Sequence, residues 1–193
     1  LAARAVFIDP AAANGPASWN NINFYTADAS VDLKDSLAAA TGIRLTVTKA
    51  LQASNTNGSP APYGDAAEFA PAGANNAYGT YPAYPYGAVV FSNLSLSTPY
   101  TFTFYASRTG ISDNRETLYT LTGSEVVATT LDAANNSNRV AYVRDLFPAP
   151  DGTISLRFDL GANNTDSGKH YYVSAIKLTF EQTFTDISAR GST

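Results

Sequence analysis

Alternation of apolar and polar residues with a period of two is the feature that most restricts the fold of this chain. It is clearest over residues 100–107, where alternate positions hold Tyr, Phe, Phe and Ala. Successive side chains of a strand point to opposite faces, so this pattern predicts a strand with one buried face. The same alternation recurs over 154–160 and 174–180. Clusters of β-branched or aromatic residues predict further strands at 5–8, 22–26, 43–48, 88–91, 117–121, 126–131 and 139–143.

Turn residues separate these segments, as at Asn57-Gly58. Short strands between such turns are typical of a β-sandwich. We therefore predict an all-β fold, an antiparallel β-sandwich of about ten strands. The 193 residues are few enough to form a single β-sandwich domain over 1–193. One stretch, from Asp32 to Ala40, is rich in Leu and Ala and has the composition of a short helix.

A Tyr/Pro-rich segment, residues 55–87, differs in composition from the rest of the chain. Its prolines cannot lie in a central strand, so we expect a long irregular loop inserted in the sandwich. Loops of this length are usually functional or are packed by their own side chains. Both roles are open for its tyrosines, which are Tyr63, Tyr78, Tyr81, Tyr84 and Tyr86.

Charge and composition exclude several classes of function. The chain has 16 acidic and 12 basic residues and a net charge of −4, which argues against nucleic-acid binding. No apolar run is long enough to predict membrane insertion. The absence of cysteine excludes disulfides, thiolate metal sites and thiol nucleophiles. The absence of methionine and the abundance of Asn, Thr, Ser and Tyr favour a secreted or cell-surface protein with a processed N-terminus, although a fragment would have the same features.

Aromatic residues beside amides are the best candidates for binding a sugar. Sugar rings pack their C–H faces on aromatic rings, while Asn and Asp side chains bond the hydroxyls. Trp19, Asn20 and Asn21 form one such trio, and the tyrosines of the Tyr/Pro-rich segment form another candidate set. Packing in the core is the alternative for each of these aromatic residues.

Loop carboxylates and amides raise the question of a bound ion. Ca²⁺ takes its ligands from oxygen atoms, and Asp132, Asn135 and Asp166 lie in predicted loops. The same residue types are common in turns because they bond their own main chain. We expect no required cofactor. Ca²⁺ binding is the alternative, and it requires that these three side chains lie close together in the folded chain.

Catalysis has few candidates. His170 is the only histidine, and no G-x-S-x-G motif provides a nucleophile. Asp113 and Glu116 have the residue types of a glycosidase pair, but Arg115 between them favours an ion-pair network that fixes the loop. We therefore predict that the protein is not an enzyme, and we keep a carboxylate-dependent enzyme acting on polysaccharide as the alternative.

Three segments together resemble a bacterial extracellular β-sandwich module of secreted or surface-sorted proteins. They are YTFTFYASRTGISDNRETLYTLTG at 100–123, LDAANNSNRVAYV at 131–143 and DLGANNTDSGKHYYVSAIKLTF at 159–180. The pieces VFIDP, WNNINFYT and LKDSLAAATGIRLTV are also similar to it. The resemblance implies a jelly roll like galactose-binding-like domains and carbohydrate-binding modules. It also implies that residues 31–43 form a strand and a Gly-ended loop instead of a helix.

Two functions follow from these features. The first is a non-catalytic extracellular module for glycan binding or surface attachment, whose partner is a polysaccharide or a cell-surface glycan. The alternative is a self-assembling structural subunit of an extracellular filament, sheath or surface layer, whose partners are copies of itself. In that case sheet edges, the Tyr/Pro-rich segment or the C-terminal tail at 181–193 would make the contacts.

Overall fold

A computed structural model describes residues 2–11 and 16–182. This part of the chain forms fourteen strands and one 3-10 helix, η1. The elements in chain order are β1 (Ala2–Asp9), β2 (Asn20–Asn21), β3 (Ser30–Lys34), β4 (Ala40–Lys49), β5 (Ala53–Asn55), η1 (Gly64–Phe69), β6 (Asn76–Thr80), β7 (Tyr86–Ser92), β8 (Tyr100–Tyr105), β9 (Glu116–Thr122), β10 (Val126–Asp132), β11 (Ala141–Leu146), β12 (Ile154–Leu160), β13 (His170–Val173) and β14 (Ala175–Gln182). Within the described ranges, no helix has the length and apolar character needed to cross a lipid bilayer.

The strands form three sheets. One has five strands in the order β11-β8-β14-β1-β2, and a second has six in the order β10-β9-β12-β7-β4-β3. A small third sheet has the order β13-β6-β5. The strand pairs are antiparallel except for β1 and β2, which are parallel. The predicted all-β antiparallel sandwich is confirmed, and the jelly-roll arrangement stays a prediction.

Aromatic side chains from the two large sheets meet in the core. Phe104 of β8 stacks on Tyr119 of β9, with ring centroids 4.5 Å apart, and Phe102 packs edge-on against Phe91 at 5.2 Å. All four side chains are completely buried. The apolar positions of the alternating segment 100–107 therefore form a core face, as predicted. Burial of each of these four side chains stabilises the folded state by roughly 1.5–3 kcal/mol.

The Tyr/Pro-rich segment is less irregular than predicted. It contains η1 and β6, and its last residues begin β7. Its prolines all lie outside the strands, as expected from their missing N–H groups. The short β6 strand pairs on both sides, with β13 and β5, which satisfies its main-chain groups.

Two local predictions are wrong. Residues 22–26 do not form a strand; the short strand β2 ends just before them, at Asn21, and pairs with the end of β1. The stretch from Asp32 to Ala40 is not a helix: it contains the end of β3, a turn over residues 35–39 and the first residue of β4. In that turn the Asp35 carboxylate accepts the N–H groups of Leu37 and Ala39 at 3.0 and 2.9 Å. The strand implied by the resemblance is confirmed.

Helix η1 packs against the outer face of the five-stranded sheet. Its Phe69 stacks on Tyr105 with centroids 5.7 Å apart and packs edge-on against Phe7 at 6.3 Å. Its Glu68 forms an ion pair with Lys177 of β14 at 2.6 Å. The predicted tail at 181–193 starts within β14, and its residues 183–193 lie outside the described part of the chain.

Truncating the central aromatic stack tests this account of the core. We expect Phe104→Ala to lower the free energy of unfolding by about 3–5 kcal/mol, because it removes buried surface and leaves a cavity beside Tyr119. Phe104→Leu should lower it by less, because much of the volume is kept. Urea denaturation followed by tyrosine fluorescence measures both. A loss below about 1 kcal/mol for the alanine variant would contradict a tightly packed aromatic core.

Candidate functional site

Trp19 lies in a small core and does not form an exposed platform. Its ring is stacked on Phe7 with centroids 5.0 Å apart, and only 6% of the residue is exposed. The same cluster contains Phe69 and Tyr105. The geometry therefore matches the packing alternative for this aromatic residue.

The two asparagines beside Trp19 differ from each other. Asn20 is buried, and its amide donates to the carbonyls of Phe7 and Lys34 at 3.0 and 2.8 Å and accepts from the N–H of Lys34 at 2.9 Å. It therefore joins β1 to β3. Asn21 is exposed at the end of β2.

The five tyrosines of the Tyr/Pro-rich segment are spread over the surface. Tyr63 and Tyr81 are more than half exposed, while Tyr78 packs against the rings of His170 and Tyr172. Tyr84 and Tyr86 are half-buried and lie near the start of β7. Lys49 lies near both of these tyrosines. It lines a surface cavity together with Tyr84, and its Nζ lies 5.9 Å from the centroid of the Tyr86 ring. The remaining three tyrosines do not line this cavity.

The three residues considered for calcium bond to the protein itself. Asp132 accepts the N–H groups of Arg115 and Ala134, both at 2.9 Å. Asn135 accepts the N–H of Gly110 at 2.9 Å and donates to the carbonyl of Ile111 at 2.5 Å. Such contacts are those of turn-forming side chains. In the described ranges no three His, Asp or Glu side chains form a group suited to a metal ion, and calcium stays a prediction.

Asp166 is the centre of a buried charge network. One of its carboxylate oxygens accepts from Arg115 Nη1 at 2.8 Å, from the main-chain N–H of His170 at 2.8 Å and from His170 Nδ1 at 2.5 Å. Burial alone would raise the pKa of the Asp166 carboxyl, but the hydrogen bonds from His170 and Gly168 and the charge of Arg115 hold that pKa below its ordinary value. The carboxylate is therefore ionised at neutral pH.

Arg115 ties this network to a second carboxylate. Its Nε and Nη2 donate to the two oxygens of Asp113 at 2.7 and 3.1 Å. Glu116, the other carboxylate of the predicted pair, instead holds the 161–169 loop by accepting the N–H and the amide of Asn163 at 3.0 Å each. The ion-pair network expected from Arg115 is confirmed, and Asp166 is the member that the sequence did not reveal.

The imidazole of His170 has one nitrogen fixed and about a third of its side chain exposed. Its Nδ1 donates to the buried Asp166 carboxylate, an arrangement that orients a ring for proton transfer. In the described part of the chain, no Ser or Thr hydroxyl hydrogen-bonds to this ring. The contacts of His170 therefore fix the 161–169 loop. Within the described residues these contacts include no hydroxyl group that could act as a nucleophile.

A surface cavity of about 430 Å³ offers a different set of groups. It lies where the 26–28 turn, the end of β4 and the residues just before β7 meet. Its lining residues are Ala27, Asp28, Thr48, Lys49, Ala50, Ala83 and Tyr84. Neither Asp28 nor Lys49 forms an ion pair with another residue in the described ranges. The cavity thus combines a carboxylate, an ammonium group, a hydroxyl and an aromatic side chain.

An irregularity in β4 produces this arrangement. The register with β7 shifts between Val47 and Lys49, so that Lys49 pairs with Ala88 and Thr48 is the extra residue. Such a bulge re-aims side chains, and here both Thr48 and Lys49 are exposed. The sequence shows no signal for the bulge, and for this reason Thr48, Lys49 and Asp28 were not among the predicted site residues.

A hydrogen bond from Tyr171 holds the main chain at Tyr84 in place. The Tyr171 hydroxyl donates to the Tyr84 carbonyl at 2.9 Å, and the Tyr171 side chain is buried. Gly79 makes this contact feasible, because a Cβ at that position would overlap the Tyr171 ring. The cavity wall is therefore supported by β6 and β13.

No protein-family model matches the chain, and no curated protein is similar enough to match it. The argument for the site therefore depends on the geometry described above.

Replacing Asp166 tests the buried network. We expect Asp166→Asn to lower the free energy of unfolding at pH 7 by about 3 kcal/mol, because Arg115 loses a buried partner. Asp113→Asn is the matched control and should cost about 1 kcal/mol, since the Asp113 side chain is 30% exposed.

The same variant should change the acid sensitivity of the protein. The pKa of Asp166 is lower in the folded chain than in the unfolded chain, so its stabilising contribution is present above about pH 4 and is lost as pH falls further. Urea denaturation at pH 7 and at lower pH should therefore show a smaller decrease in stability for Asp166→Asn than for the parent. An unchanged pH dependence would contradict the role assigned to this carboxylate.

Proposed function

We propose that this protein is a non-catalytic extracellular module that binds a polysaccharide or cell-surface glycan. The observation that supports this function best is the cavity lined by Asp28, Lys49 and Tyr84, which we call the Lys49 cavity. Its ammonium and carboxylate groups form no ion pair with any residue of the described ranges. Its volume of about 430 Å³ is within the range of small-ligand sites.

The groups of the cavity match the chemistry of a sugar. Each sugar hydroxyl both donates and accepts a hydrogen bond, so a site needs donors and acceptors close together. Lys49 is a donor, Asp28 is an acceptor, and Thr48 can be either. Tyr84 supplies apolar surface for the C–H face of a ring. The neighbouring Tyr86 ring is not part of this surface, because the Arg157 guanidinium lies 4.0 Å from its centroid and covers that face.

The contrast with the Asp166 network supports a non-catalytic role. Asp113 and Glu116 both accept hydrogen bonds from other protein groups, and neither lines the cavity. The carboxylate-dependent enzyme is therefore the weaker proposal. The resemblance to carbohydrate-binding modules agrees with binding at a sandwich surface, and the extracellular location belongs to the same proposal.

Alanine substitutions in the cavity test this function. We expect Lys49→Ala and Tyr84→Ala each to weaken binding to a responsive polysaccharide about tenfold, because each removes a contact worth roughly 1–2 kcal/mol. A panel of soluble polysaccharides in affinity gel electrophoresis, followed by calorimetry on any that bind, measures this effect. Asp28→Asn keeps the left-handed backbone of Asp28 and tests the carboxylate alone.

Tyr63→Ala is the matched control, since Tyr63 is an exposed tyrosine of the same segment that does not line the cavity. It should bind like the parent protein. Loss of binding in Tyr63→Ala with unchanged binding in Lys49→Ala and Tyr84→Ala would contradict the assignment of the cavity. A folded protein that binds no member of the panel would count against glycan binding as a whole.

A further inference from the structure

The turn that carries Asp28 is tied by main-chain hydrogen bonds to the strand that carries Lys49. The N–H of Asp28 donates to the carbonyl of Val47 at 3.0 Å, and the N–H of Val47 donates to the carbonyl of Ala29 at 2.8 Å. Val47 lies two positions before Lys49, on the other side of the bulge at Thr48. The main chains that carry the carboxylate and the ammonium group of the Lys49 cavity are therefore held in a fixed arrangement.

The rest of the cavity wall is also held by hydrogen bonds. The N–H of Tyr84 donates to the carbonyl of Thr80 at 2.8 Å, and the carbonyl of Tyr84 accepts from the Tyr171 hydroxyl at 2.9 Å. Just beyond β4, the N–H of Leu51 donates to the carbonyl of Phe24 at 2.9 Å. A ligand therefore meets a cavity whose main chain is already in place, so little loop ordering opposes its binding.

The two charges of the cavity have opposite signs and do not neutralise each other. Asp28 and Lys49 line the same cavity, but no carboxylate oxygen of Asp28 lies within 4.0 Å of the Lys49 ammonium. The ion pairs among the described residues have distances of 2.5–2.9 Å. The five other lining residues are uncharged. The cavity is therefore neutral as a whole, with a positive group and a negative group at separate positions.

A second charged pair lies beside the cavity, on β12. Arg157 donates to both oxygens of Asp159, at 2.7 and 2.6 Å, and its guanidinium lies 4.0 Å from the centroid of the Tyr86 ring. The Lys49 Nζ lies 5.9 Å from the same centroid. Asp159 is therefore satisfied by Arg157 and does not form an ion pair with Lys49.

We propose that the Lys49 cavity selects a glycan that carries both a carboxylate and an ammonium group. This inference rests on the glycan-binding function proposed above and names the class of glycan. A sugar carboxylate, as in a uronate, accepts hydrogen bonds from Lys49, and the ammonium group of an unacetylated amino sugar donates to Asp28. A ligand with a single charge pairs with one of these side chains and leaves the other without a partner.

The expected selectivity is moderate. Both Asp28 and Lys49 are exposed, and water weakens an ion pair at an exposed position. We therefore expect a glycan with both charges to bind about fivefold more tightly than one with a single charge or none. High salt should reduce this difference, because it screens exposed charges.

Four oligosaccharides of equal length test the selectivity. Hyaluronan oligosaccharides carry carboxylates and N-acetyl groups, and their de-N-acetylated forms carry carboxylates and ammonium groups on the same backbone. Chitosan oligosaccharides carry ammonium groups alone, and chitin oligosaccharides carry no charge. Calorimetry at about pH 6 keeps the carboxylates ionised and the amines protonated. De-N-acetylated hyaluronan should bind the parent protein about fivefold more tightly than each of the other three.

Each charge of the cavity can be removed separately. Asp28→Asn should abolish the preference for de-N-acetylated hyaluronan over hyaluronan, and Lys49→Gln should abolish its preference over chitosan. Both positions are exposed, and Asn tolerates the φ of 62° at position 28, so the fold is kept. Glu125→Gln is the matched control, since Glu125 is exposed in the turn between β9 and β10 and does not line the cavity.

The outcomes separate the charge selectivity from glycan binding itself. A preference for de-N-acetylated hyaluronan that is lost in both cavity variants and kept in Glu125→Gln supports the proposal. A similar loss in Glu125→Gln overturns it, because overall charge would then explain the preference. Binding of a neutral oligosaccharide or polysaccharide that equals or exceeds that of de-N-acetylated hyaluronan, and is weakened by Tyr84→Ala, overturns the selectivity and leaves the glycan site in place. Absence of binding to every glycan tested overturns both.

Discussion

A sheet whose alternate residues are apolar must cover one face, and this constraint organises the molecule. The six-stranded sheet covers its inner face with the five-stranded sheet, through the stack of Phe104 on Tyr119. The five-stranded sheet has a second apolar face, where Phe7 and Tyr105 are located. Helix η1 covers that face with Phe69 and is tied down by the ion pair of Glu68 with Lys177. The Tyr/Pro-rich segment is thus a third layer of the fold.

This layering decides where a ligand or partner has access. Trp19 has the side chain best suited to stack on a sugar, but it is needed to complete the small core under η1. The outer face of the six-stranded sheet has no such cover in the described part of the chain. Two ion pairs on that face are Arg44 with Asp32 and Arg157 with Asp159. That face and its end near Lys49 are therefore accessible in the described part of the chain.

The sequence predicted the long strands well because their pattern is local. Residues 100–107 and 154–160 alternate visibly because one face of each strand packs in the core between the two large sheets, while the other face carries mostly polar residues or, at Tyr105, belongs to the small core under η1. β13 escaped notice because three of its four residues are buried, so no alternation exists to detect. Residues 22–26 misled the strand prediction because their apolar side chains, such as Phe24, pack singly into the core from an irregular backbone.

The candidate site was harder to predict because its parts are distant in the chain. Tyr84 was named from composition, but Asp28 and Lys49 reach it only through the pairing of β4 with β7 and a bulge at Thr48. The Asp166 network shows why proximity of charges is not enough. There each carboxylate has a donor, and the network stabilises loops. At the Lys49 cavity the charges have no ion-pair partner in the described residues, so their hydrogen-bonding capacity remains for a ligand. That difference, more than the number of polar groups, is the reason why we propose the cavity, and not the His170 loop, as the glycan-binding site.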